Sequence, residues 1–124
     1  MLSAQELLPA VGQGILGVEV RAADQPILEA LGGLDDAAAR AEALAERAFL
    51  RCLSAGCHTP VAGLARLAGA TIEMDGLVSS LDGRTVIRGR AGGPATRPEA
   101  VGESLAGDLL SRGARAILDE GGRA

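Results

Sequence analysis

The chain has 124 residues, a formal net charge of −4, 48% hydrophobic residues and a single aromatic, Phe49. A chain of 12.4 kDa exposes roughly 6,000 Å² when compactly folded against roughly 18,000 Å² unfolded, so it can bury a real core, here one packed from Ala, Leu and Val. The acidic balance and the missing stacking aromatics argue against nucleic-acid binding, and no apolar run approaches the ~18 residues needed to span a bilayer.

Residues 1–8 predict a short helical turn closed by Pro9. The stretch 11–21 opens with glycines and continues with Ile15, Val18 and Val20, which predicts a loop feeding a strand over 15–21. Asp24 is placed to cap a short helix through Leu31, with Gly32 and Gly33 ending it. Asp35 or Asp36 then caps the strongest helix, whose stripe is Ala37, Ala41, Leu44, Ala45, Ala48, Phe49 and Cys52. Arg40, Glu42, Glu46, Arg47 and Arg51 fall largely off that stripe, and Asp36 with Arg40 has the favourable acid-first i, i+4 order. The helix is expected to end near Leu53.

From Pro60 the period changes to two. Residues 61–68 and 71–81 read as strands, Leu81-Asp82-Gly83-Arg84 as a hairpin turn, and 85–90 as the return strand. Gly92-Gly93-Pro94 and Pro98 mark a loop; 99–111 is a helix with Val101, Leu105, Leu109 and Leu110 inward; Gly113 interrupts it before a last turn over 114–120. This order predicts an α+β fold, a three-stranded antiparallel sheet with helices packed on one face. Residues 1–31 fit that unit poorly, because the strand at 15–21 has no neighbour in it. They read as a loop-strand segment belonging to a neighbouring domain.

Cys57 is the residue with the strongest chemical case, since it follows a helix, lies between Gly56 and His58, and an adjacent imidazole favours the nucleophilic thiolate. The alternative is an inert small apolar residue. Cys52 continues the helix stripe and reads as core. The N-terminus has no basic region ahead of an apolar stretch, so two cysteines imply a reducing, cytoplasmic setting without a disulfide framework. Cys52, Cys57 and His58 match no zinc spacing, so no metal is expected. Gly12-Gln13-Gly14 is a partial dinucleotide fingerprint in the wrong place, and is either a tight turn or a presentation of the Gln13 amide to a ligand. Arg84, Arg88 and Arg90 form either a small basic patch or, the preferred reading, a solvated hairpin face.

Taken in order, several segments resemble one family. Leu8-Pro9-Ala10-Val11-Gly12-Gln13-Gly14 with Gly17-Val18-Glu19-Val20-Arg21, then Ala45-Glu46-Arg47-Ala48-Phe49-Leu50, then Ala55-Gly56-Cys57-His58-Thr59-Pro60-Val61, and finally 105–118 are similar to the C-terminal portion of porphobilinogen deaminase, also called hydroxymethylbilane synthase. The resemblance implies that residues 1–33 return into the family's first domain and that 34–124 form its third, cofactor-carrying domain. It implies a dipyrromethane cofactor joined to Cys57 through a thioether, with Gly56 in the cofactor loop and Gln13 lining the cleft. It implies porphobilinogen and the growing linear pyrrole chain as partners, together with the N-terminal deaminase domains. Ala55 stands where the family commonly has glycine. The family's catalytic aspartate and arginine cluster have no counterpart here, so no catalytic residue is assigned, and this portion alone is expected not to turn over. The competing reading is a freestanding α+β binding or thiol-sensor domain.

Overall fold

The computed structural model describes residues 3, 4, 6–54 and 60–121. In chain order the elements are α1 (Gln25–Leu31), a 3-10 turn (Gly32–Leu34), α2 (Ala37–Leu53), β1 (Val61–Ala68), β2 (Thr71–Ser79), β3 (Val86–Pro94), α3 (Pro98–Leu109), a π turn (Leu110–Ala114) and α4 (Arg115–Gly121). The strands form one antiparallel sheet in the order β1-β2-β3. The expected α+β fold is the observed one.

Each helix has a local cause. The Asp36 carboxylate accepts from the Ala38 and Ala39 N–H groups at 2.9 and 3.0 Å, an N-cap worth about 1 kcal/mol. Because that carboxylate is turned onto the helix end, Arg40 pairs instead with Asp35 at 2.6 Å, not with Asp36 as the spacing suggested. α2 stops where Ser54 takes a left-handed conformation, φ 51°. Gly113, at φ 102°, puts the break between α3 and α4 at the residue where the sequence places it. Gly32 and Gly33 do not end the chain's helical course; they continue it as the 3-10 turn.

The core lies between the sheet and the two long helices. Ala45, Phe49 and Leu53 from α2, Val101, Leu105 and Leu109 from α3, and Ile72, Met74 and Val78 from β2 are all buried. With one aromatic to spend, the sheet makes room for it. Gly63, Gly76 and Gly89 are in register across the three strands. A Cβ on Gly76 would lie 2.8 Å from both Phe49 Cζ and Leu105 Cδ2, and one on Gly89 would lie 2.9 Å from Leu109 Cδ2. The glycine row is a trough into which the helix side chains sink, the close approach that glycine in a strand permits. Gly102 does the same between helices: its α-carbon sits against the Ala45 carbonyl and the Phe49 N–H.

Three expectations change. β3 runs on through Gly92, Gly93 and Pro94, which were read as loop; Thr71 pairs with Pro94 and Ile72 with Gly93, and proline is tolerated there because β3 is an edge strand. β2 ends at Ser79 instead of Leu81, where the Ser80 N–H bonds the Thr85 carbonyl at 2.8 Å and closes the hairpin. Finally, residues 15–21 form no ladder with any strand among the described residues. The outer edge of β1 is already occupied: its Gly63, Ala65 and Leu67 N–H groups go to the Pro9 carbonyl, Glu46 and Glu42. Without a partner the segment stays open, with Leu16 94% and Val18 67% exposed. Of the described residues between Pro9 and Leu44, none is buried. The total exposed area of 8010 Å² accordingly exceeds the roughly 6,000 Å² of a compact chain this size.

Candidate functional site

Residues 3–12 wrap around the β1 edge. The Arg88 guanidinium, on the sheet face away from the helices, donates to the Ala4 carbonyl at 3.0 Å. The Pro9 carbonyl accepts from Gly63 at 3.0 Å. Val11 then packs against the core on the helix side. Leu8, in the crossing, is buried.

The wrap delivers the Gly12-Gln13-Gly14 turn to α2. Gly12 and Gly14 have φ of 75° and 89°, conformations that disfavour any side chain. The Gln13 N–H bonds the Ala10 carbonyl at 3.0 Å, and its side-chain oxygen accepts from the Ala10 N–H at 3.1 Å. Gln13 is exposed. The segment is a tight turn that the Gln13 amide oxygen serves, and the side-chain NH2 has no partner among the described residues.

The turn is fastened by a residue that the sequence reading set aside. Glu46 is 3% exposed. Its Oε2 accepts from the Gly12 N–H at 2.6 Å and its Oε1 from the Ala65 N–H of β1 at 2.9 Å. One turn earlier, Glu42 accepts from the Leu67 N–H at 2.8 Å. The spacing matches, since four helical residues rise ~6 Å and two strand residues ~6.6 Å. Hydrogen bonds to a charged acceptor contribute about 1.5–3 kcal/mol each, so the two bonds of Glu46 outweigh an ordinary surface ion pair. The signal for Glu46 was present: it shares a helical face with Phe49 and Leu53, at i+3 and i+7.

Cys57 and Gly56, with Ala55 and His58, lie outside the described residues. Their flanks are fixed by rigid elements. Ser54 ends α2, with its N–H on the Arg51 carbonyl at 3.0 Å. The Pro60 carbonyl accepts from Ser79 at 2.9 Å, at the start of β1. Cys52 is half-buried against the core. The arginines of the hairpin are committed: Arg90 holds Asp75 through two bonds of 3.0 and 2.8 Å, Arg84 lies 3.5 Å from Asp82, and Arg88 holds Ala4. The Asp75 carboxylate, by hydrogen bond and then by charge, raises the Arg90 pKa further. This is a paired face instead of a basic patch.

A cavity of about 570 Å³ lies elsewhere. It runs between residues 12–18 and the first half of α2, past Ala39, Arg40, Ala43 and Arg47. It borders the Gln13 turn at Gly12 but sits at the end of α2 opposite Ser54. No helix among the described residues is long and apolar enough to cross a membrane.

Comparison with known proteins assigns this arrangement. Residues 40–111 match the family model for the porphobilinogen deaminase C-terminal domain. The chain is 48% identical over 118 residues to the porphobilinogen deaminase of Roseiflexus castenholzii, covering 95% of this chain and 39% of that protein. It is 50% identical over 111 residues to that of Desulforudis audaxviator, with coverage of 90% and 36%, and 45% identical over 120 residues to that of Synechococcus elongatus, with coverage of 97% and 38%. The chain thus spans about two-fifths of the length of the relatives it matches, and with its C-terminal-domain fold it belongs to the porphobilinogen deaminase family.

Proposed function

We propose that this chain is the cofactor-bearing C-terminal portion of a hydroxymethylbilane synthase, acting in the cytoplasm in tetrapyrrole and haem biosynthesis. The observation that carries the reading is identity of 45–50% over nine-tenths or more of the chain to proteins named porphobilinogen deaminase. In this reading residues 34–124 are the cofactor-carrying domain, and 1–33 are the segment that returns into the first domain. The exposed Leu16, Val18 and Leu34 support that return, because an apolar stretch without a partner here has one to gain there.

The proposed cofactor is a dipyrromethane held on Cys57 as a thioether, and when bound it supplies the end to which successive porphobilinogen units are joined. The residues present fit such a group. A thiol is a strong nucleophile toward the methylene carbon left when ammonia departs; Sγ gives the electron pair of the new C–S bond and releases its proton. Gly56, next to Cys57 in sequence, carries no side chain to compete with an adduct, while Ser54 and Pro60 are tied to α2 and β1. Gln13 keeps an NH2 donor for an acidic or carbonyl group of the pyrrole chain. The acid–base machinery is assigned to the N-terminal domains, and this portion alone does not turn over.

Two measurements test the reading. Intact mass with a peptide map should show two linked pyrrole rings on Cys57 after co-expression with the N-terminal domains, and none on the C57S variant. Mixing the chain with those domains should restore consumption of porphobilinogen. A bare Cys57 and an inert mixture would instead mark a freestanding binding or thiol-sensor domain.

A further inference from the structure

We propose that Glu46 is the positioning residue of this site: one buried carboxylate fixes the turn that presents Gln13 to the strand that the Cys57 loop leads into. The inference rests on the reading of Cys57 and Gln13 above and deepens it by naming what ties the Gln13 turn to α2 and β1. Glu46 projects from α2, the element before the Cys57 loop, and binds Ala65 on β1, the element after it, and Gly12 in the turn. Three segments far apart in sequence meet on one functional group.

The chemistry requires both donors. No cation among the described residues lies within ion-pair distance of Glu46. A carboxylate buried without a cation must be held by N–H groups. The turn's internal bonds, from Gln13 to Ala10, from Ile15 to Gly12 and from Ala10 to the Gln13 side chain, set its shape but none reaches α2 or β1. Upstream, the Pro9–Gly63 bond is the backbone tie to β1. Losing the Glu46 acceptor leaves an intact turn free beyond the packed Val11, with Gln13 at its tip.

The test uses the full chain, 15N-labelled, with amide exchange read residue by residue under native conditions. E46Q keeps the shape and one acceptor oxygen but turns an NH2 toward one of the two donors. The expected result is exchange faster by tenfold or more at Gly12, whose N–H Glu46 holds, with Gln13 and Ile15 changed less because their bonds lie inside the turn, and with Val78 and Leu105 changed by less than threefold. E42A, which removes the bond to Leu67 alone, should loosen Leu67 and spare the turn. If E46Q fails to fold, E46D replaces it: the charge stays, the reach shortens, and the same selective loosening is expected. Uniform acceleration in the folded variant would make Glu46 a general stabiliser, and unchanged exchange in the turn would leave it no positioning role; either overturns the proposal. The functional reading is tested separately by the mass of Cys57. A bare Cys57 beside a selectively loosened turn would sink that reading and keep the clamp.

Discussion

Two glycines on α3, Gly102 and Gly107, should respond to the same substitution with opposite signs. On helix propensity alone, Gly→Ala in a helix interior gains about 0.8–1 kcal/mol. Gly107 is exposed and a Cβ there meets nothing within 4 Å, so G107A should realise most of that gain. At Gly102 the new Cβ would overlap the Ala45 carbonyl oxygen and lie 2.8 Å from Phe49 N and 3.1 Å from Ala45 C. All three are backbone atoms of α2 and cannot rotate away. Relief to an ordinary contact of 3.4 Å or more requires α3 to lift from α2. A gap of 0.5–1 Å forfeits about a quarter to a half of each dispersion contact along the seam, which here includes Val101 and Leu105. Overpacking typically costs about 1–3 kcal/mol, and an immovable backbone partner puts this case at the upper end, far above the propensity gain. The net loss for G102A is therefore about 2 kcal/mol.

Urea titration followed by far-UV circular dichroism measures both variants on one scale. For a domain of this size 1 kcal/mol moves the melting temperature by roughly 3–5 °C, so G102A should melt about 6–10 °C lower and G107A about 3 °C higher than the parent. The slope of the titration should stay constant, since neither change alters the surface exposed on unfolding. A G102A chain within about 0.5 kcal/mol of the parent would refute the close crossing of α2 and α3, and with it the placement of Glu46 relative to β1.

The glycine trough makes a second prediction, on coupling. F49A should cost about 3–5 kcal/mol by the cavity it leaves, and G76A alone should destabilise because its Cβ meets Phe49 and Leu105 at 2.8 Å. In the F49A background G76A should cost far less, since half of its obstruction is gone; strict additivity in a double-mutant cycle would contradict the packing. A third prediction concerns the hairpin turn. The Asp82 carboxyl is held below the usual carboxylate range, first by the Ser80 hydroxyl at 2.6 Å and then by the Arg84 N–H. Stability linked to it is present above the ordinary carboxylate pKa and is lost as pH falls through the lowered one. Carbon-detected titration should place Asp82 below the ordinary aspartate value, and S80A should move it upward; an Asp82 that titrates normally in the parent would exclude the bond.

The sequence was most legible where one interaction dominates. Alternation located β1 to the residue, because one face of that strand is buried and the other is not. The three- and four-residue stripe located α2, and Gly113 located the break after α3. It was least legible where polar groups serve tertiary needs. Glu46 was read as a solvent residue because glutamate is rarely buried, although its helical position put it beside Phe49. The strand expected at 15–21 shows the complementary failure: a propensity for extended backbone does not supply a partner. Gly92-Gly93-Pro94 was read from its composition as a loop, yet the register with Thr71 and Ile72 carries β3 through it.

The first two of these share one cause. An edge strand with open N–H groups invites pairing, and β1 is such an edge, lying beside a stretch rich in β-branched residues. The chain closes it with Pro9 and two glutamates one helical turn apart, a device local propensity does not reveal because its parts are separated by 19, 25 and more residues. Closing the edge does two things at once. It leaves residues 15–21 no free β1 edge to pair with, and Leu16 and Val18 are exposed. It also recruits Glu46 to hold the Gly12 turn. The same hydrogen bonds that finish the sheet thereby fix the one turn that carries Gln13 while leaving the segment beyond it open, so the edge of β1 is where the architecture of the domain and the geometry of its proposed site become a single problem.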